Sequence, residues 1–180
     1  MKWKWFLTAT LFFCTTVTWT AETPSPYAGQ ETREIKALSR DEITGYLSGD
    51  GMGFAKAAEL NHYPGPKHVL QLADQLQLSE VQRRKTQAVF EEMNSKAVYL
   101  GKQLVEKEQL LDARFAEANI SDVEIAQIVT EISDLYGKIR AAHLHAHLAE
   151  RAVLTADQLM RYDALRGYGA SGSHVQHDGH

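Results

Sequence analysis

Five residues recur as a pattern at two distant points of the chain, Leu78-Ser79-Glu80-Val81-Gln82 and Leu154-Thr155-Ala156-Asp157-Gln158. Each copy is a leucine, a small hydroxyl residue, two variable positions and a glutamine. This is the chemistry of a capping box. The hydroxyl accepts from the backbone N–H three residues on, and the glutamine side chain reaches back to the N–H of the cap residue. The leucine before each cap stands where a hydrophobic staple begins. Each copy therefore predicts the start of a helix, at Ser79 and at Thr155. A third capping box, Ser121-Asp122-Val123-Glu124, lies between them.

The apolar residues after each cap repeat at three- and four-residue steps. Phe90, Met93, Ala97, Leu100, Leu104, Leu111 and Phe115 follow the first, with one position skipped at Glu108. Ile125, Ile128, Ile132, Leu135, Ile139, Ala142, Ala146, Ala149 and Val153 follow Ser121. Such spacing predicts two long amphipathic helices, over 79–118 and 121–152, joined by a turn too short for anything but an antiparallel arrangement. Shorter helices are expected at Phe54–Leu60, from Pro66 to Leu76 with the proline in the first turn, and from Thr155 to about Arg166. The expected fold class is all-α: a long antiparallel helical hairpin with short flanking helices. A helix of nearly forty residues is about 60 Å long, and so few other elements cannot cover both of its sides. Leu144 and Leu148 lie opposite the Ala142/Ala146 stripe and are apolar. That far face reads as a surface for a partner, either a second subunit in a homodimer or a client.

The repeated motif resembles the signature of the Spy/CpxP family of periplasmic proteins, a twice-occurring Leu-Thr-x-x-Gln, together with that family's metal-linked ZraP- and CnrX-like relatives. The likeness runs from about Lys67 to Arg166. The second copy matches the signature in full, and the first has Ser79 in place of threonine. The resemblance implies a periplasmic, ATP-independent chaperone or envelope-stress protein that holds unfolded or partly folded envelope proteins. Some relatives bind or sense divalent metals, so it also implies an alternative, a periplasmic metal-binding, metal-sensing or resistance protein. An adaptor for a sensor kinase is a further option.

Four segments are expected. Residues 1–21 read as a secretory signal, with Lys2 and Lys4 before an apolar stretch from Trp5 to Val17. The cleavage site is poor, since Thr18-Trp19-Thr20-Ala21 lacks two small residues at the right spacing. Periplasmic export with cleavage is favoured, and an uncleaved inner-membrane anchor stays open as the one route to membrane contact. Residues 22–50 carry Pro24 and Pro26 and little apolar periodicity, and read as a flexible N-terminal segment. Residues 51–168 form the helical domain, and the Gly/Ser/His-rich stretch 169–180 a disordered tail. The only cysteine, Cys14, lies in the signal, so the mature chain has no thiol for catalysis or disulfides. Loss of the signal removes two lysines and no acidic residue, taking the formal net charge from −4 to −6. That acidity argues against a nucleic-acid partner.

The chemistry is concentrated in histidines. His143 and His147 are four apart and share a helix face, with Glu150 between them in azimuth. This geometry suits Zn²⁺, Ni²⁺, Cu²⁺ or Co²⁺ through imidazole nitrogen. His145 points elsewhere. A complete site needs further ligands, and His62, His68 or Glu59 are the candidates. The same histidines also suit a helix surface or interface that binds nothing. His174, His177 and His180 in the tail form a second, weaker possibility. Arg83, Arg84 and Lys85 open a basic run along the first long helix, which reads either as a solvated face or as a charged rim that steers clients. No nucleophile triad, carboxylate pair or phosphate loop is visible, so the chain reads as a non-enzyme that requires no cofactor.

Overall fold

The computed structural model describes residues 24–168. Among them there are six helices and no strand: α1 (Arg40–Ser48), α2 (Lys56–Glu59), α3 (Pro66–Gln71), α4 (Glu80–Ala116), α5 (Asp122–Val153) and α6 (Ala156–Arg166). The all-α hairpin is present. Helices α4 and α5, of 37 and 32 residues, pack against each other along their length. The three capping boxes form as read, on Ser79, Ser121 and Thr155.

Two features of the second half of the hairpin differ from the expected stripes. Glu108, skipped in the apolar count, is itself buried in the α4 stripe. Toward the end of α5 Ala149 is exposed while His143 and Glu150 are buried, His143 under Phe54 of the N-terminal segment and Glu150 against Thr86 of α4.

The N-terminal expectation needs a larger correction. The compact unit begins at Thr32, not at residue 51. Ser39 and Glu42 form a fourth capping box that opens α1, and Ile35, Leu38 and Tyr46 join Leu100, Leu104, Ile132 and Ile139 in the central core. The apolar residues here are too few to give a sustained period, but their contacts across the hairpin supply the burial. Residues 24–31 form a separate run of turns, in which the Tyr27 amide donates to Ser25 Oγ at 3.2 Å. The helix expected from Pro66 to Leu76 stops at Gln71 and continues as turns, with Gln77 at a φ of 52°. The one expected at Phe54–Leu60 contracts to the single turn of α2.

The two repeated motifs meet. Each glutamine Oε1 accepts its own cap N–H, from Ser79 and from Thr155, both at 3.0 Å. That fixes which way each amide faces. Gln82 Nε2 donates to Gln158 Oε1 at 2.7 Å and to the Val153 carbonyl at 3.1 Å. Gln158 Nε2 donates to Gln82 Oε1 at 3.2 Å and to the Leu76 carbonyl at 3.2 Å. Every donor and acceptor of the pair is used, and the starts of α4 and α6 are held side by side. The motif leucines Leu78 and Leu154 are buried beside them with Val69, Leu76 and Tyr162.

Helix α1 crosses α4 at Gly101, where a β-carbon would overlap the Tyr46 carbonyl. In a helix interior Gly→Ala normally stabilises by about 1 kcal/mol. At Gly101 the sign should reverse, because the neighbour is backbone that cannot swing away, and Gly101→Ala should cost about 1–3 kcal/mol. Gly137 of α5 has nothing within 4 Å of its added β-carbon. Gly137→Ala should therefore gain about 0.5–1 kcal/mol. Urea unfolding of both variants checks the pair, and equal effects at the two sites would contradict the packing described.

Candidate functional site

The segment between α1 and α3 folds back over the last third of α5, and its backbone explains how. Gly49 ends α1 in the left-handed region at φ 71°, Gly53 has φ 81°, and His62 turns the chain after α2 at φ 64°. Pro64, Gly65 and Pro66 then run buried against α5. Gly65 is required by proximity: a β-carbon there would lie 3.0 Å from Cε1 and Nε2 of His147 and 3.6 Å from Glu59 Oε2.

Beneath this segment, His143 and His147 point from adjacent turns of α5 into one cavity of about 320 Å³ that Glu59, His68, Met52 and Met93 also line. His143 is 4 % exposed, and its ring stacks on Phe54 at 5.8 Å with the planes 9° apart. Its Nε2 is buried and has no hydrogen-bond partner among the described residues. Burial, and to a smaller extent the neighbouring His147, pushes its pKa below the usual imidazole value, so the ring is neutral at pH 7. His147 Nδ1 stands 2.7 Å from the Tyr63 carbonyl. A carbonyl can only accept, so Nδ1 is the donor in this contact. This is the second-sphere arrangement that orients metal-binding imidazoles.

Glu59 completes the group. Its side chain is only 12 % exposed, and its two oxygens have different surroundings. Oε1 accepts from Tyr162 OH at 2.6 Å, Tyr168 OH at 3.2 Å and Arg166 Nε at 3.3 Å. Oε2 is buried without a hydrogen-bond partner among the described residues and lies 3.6 Å from His147 Nδ1. Arg151 supports the covering segment from α5, donating to the His62 carbonyl and lying over the Tyr63 ring at 4.6 Å from its centroid.

The remaining candidates are dispersed. Glu150 does not join the histidines. It is fully buried toward α4 and accepts from Thr86 Oγ1 at 2.9 Å. His62 pairs with Asp163 at 2.8 Å on the surface. His68 reaches the cavity wall, but its Nδ1 faces Gln71 Oε1 at 3.1 Å. His145 is exposed on another face, as its position implied. Among the described residues, no three His, Cys, Asp or Glu side chains are grouped closely enough to hold a metal ion as they stand. Leu148 is 61 % exposed and Leu144 partly so. Arg83 pairs with Asp74 at 2.6 Å, while Arg84 and Lys85 face solvent. Cys14, residues 1–21 that read as a signal in the sequence, and the histidines His174, His177 and His180 lie outside the described residues. No helix among those described is long and apolar enough to cross a membrane. No protein-family model, curated protein or solved structure matches the chain.

Glu150 gives a pH signature. Burial raises its pKa from the model-peptide 4.5 to about 7. The fold thus binds this proton more tightly than the unfolded chain does. The resulting stabilisation is complete below about pH 4.5 and is lost as pH rises to about 7. Its size is on the order of 3 kcal/mol. Glu150→Gln keeps the Thr86 bond and should remove that slope, leaving the variant more stable than the parent above pH 7. Thermal unfolding from pH 4.5 to 8 checks this, and parallel profiles would contradict a protonated Glu150.

Proposed function

We propose that this is a divalent-metal-binding protein of the exported compartment, taking a borderline ion such as Zn²⁺, Ni²⁺, Co²⁺ or Cu²⁺ at His143, His147 and Glu59. One observation carries the reading: two buried polar atoms without hydrogen-bond partners among the described residues, His143 Nε2 and Glu59 Oε2, belong to residues that line one cavity together with His147. Buried polar groups in folded proteins are almost always met by a protein group, a water or an ion. Two imidazoles and one carboxylate are a donor set that suits these metals and not Mg²⁺ or Ca²⁺, which prefer oxygen throughout. Bringing the three donors to one ion needs side-chain rotation inside the cavity. That cost is about 1 kcal/mol per strained torsion, against about 8 kcal/mol for a micromolar site.

Calorimetric titration of the chain with His174, His177 and His180 changed to alanine isolates the helical site from the tail. Micromolar or tighter binding is expected, lost in His143→Ala and in Glu59→Gln and retained in Glu150→Gln and His62→Ala. Burial holds the His143 pKa below that of a free imidazole, so proton competition at this ligand should set in at lower pH than the ordinary 6.5. Binding that survives loss of both His143 and Glu59 would remove this reading.

A second reading is the client-holding protein that the family resemblance implies. Exposed Leu148, with Leu144 beside it on the outer face of α5, supports it. The same surface suits a homodimer. Clients would be unfolded or partly folded envelope proteins, held without nucleotide through exposed apolar surface. Suppression of aggregation of a urea-diluted client should then weaken several-fold in a Leu144→Ser, Leu148→Ser variant and stay unchanged in His143→Ala. No suppression by the parent chain at several-fold excess would exclude it.

A further inference from the structure

Glu59 is shared between two clusters. Its Oε2 faces the histidine cavity, while Oε1 gathers Tyr162, Tyr168 and Arg166 from α6 and the residues just after it. The α6 partners are linked among themselves. Arg166 Nη2 donates to Tyr168 OH at 3.4 Å and its guanidinium lies 5.8 Å from that ring's centroid. Gly167 ends α6 at φ 76°, and the Tyr168 amide donates back to the Asp163 carbonyl at 2.7 Å. One small carboxylate thus anchors the last described residues, Arg166 to Tyr168, which precede His174, His177 and His180 in sequence.

We propose that a divalent cation at the His143/His147/Glu59 site and the Arg166–Tyr168 clamp compete for this one carboxylate, so that metal binding releases the end of α6. The inference rests on the metal-binding reading above. A dication on Oε2 withdraws negative charge from the carboxylate and weakens Oε1 as an acceptor. It also repels the Arg166 guanidinium across a short distance in partly buried surroundings, where screening is poor. Tyr162, 1 % exposed and 2.6 Å from Oε1, holds Glu59 in place in either case, so the side chain need not leave the cavity when the clamp opens. The coupling is reciprocal: if cation binding loosens the clamp, the clamp weakens cation binding by the same factor, so loss of the Arg166 charge raises cation affinity.

The test uses zinc as the probe on the full chain carrying alanine at His174, His177 and His180. Hydrogen exchange read by mass spectrometry should show the Gly167 and Tyr168 amides exchanging about 5-fold faster or more at saturating zinc, with the start of α4 unchanged. Arg166→Gln should bind zinc more tightly by a similar factor, while Tyr99→Gln, remote from the site, should not. Zinc binding with unchanged exchange at 167–168 would overturn the coupling and leave the metal site standing. So would weaker zinc binding in Arg166→Gln, because the clamp would then support the site rather than compete with it. No zinc binding at all would overturn the metal site and this coupling together.

Discussion

The reciprocal amide pair of Gln82 and Gln158 is the constraint on which the rest of the fold is arranged. A capping glutamine normally spends its side chain on its own helix, and its NH₂ group is left to solvent. Here the two NH₂ groups point at each other's oxygens and at the Val153 and Leu76 carbonyls, which lie just before the two caps. Four chain segments are thereby tied at one end of the hairpin. The motif leucines fill the apolar cluster next to the pair, and Tyr162 packs into that cluster. A motif that looks like local helix punctuation in one dimension is a tertiary clasp in three.

The clasp also places the site. With α6 held beside α4, Tyr162 and Arg166 face Glu59, so that α2 is tied to α6 through this carboxylate while also packing on α5. The turns of the Gly49–Pro66 segment are stabilised by residues that accept positive φ and by the absence of a side chain at Gly65. The result is an imidazole pair covered at His147 by the backbone at Gly65 and at His143 by the Phe54 ring, with a cavity left between them and α4.

Burial then decides the electrostatics. His143 and Glu150 are seven residues apart on one helix, and both are pushed toward their neutral forms by desolvation. For the histidine this yields a free lone pair. For the glutamate it raises the pKa to about 7, on a carboxyl that is bonded to Thr86 and lies outside the histidine cavity. The same physical effect separates the two residues in function, although their spacing makes them look equivalent.

The three-four repeats and the capping boxes determined, from the sequence alone, the helix starts at Ser79, Ser121 and Thr155, the antiparallel hairpin and the exposed position of Leu148. These are local or periodic properties, set by backbone hydrogen bonding and by which side of a long helix is apolar. His143, His147 and Glu59 were legible as donor types for the same reason, since two of them share a helix face. The tertiary structure alone decided that Glu59 and not Glu150 lies with the histidines, that Ile35 and Tyr46 make the first segment part of the core, and that Gln82 and Gln158 meet. Each of these depends on contacts between residues far apart in the chain. Glu150 stands closer to His147 in sequence than Glu59 does, but α5 turns it toward Thr86, and only the folding back of the Gly49–Pro66 segment brings the other carboxylate to the imidazoles.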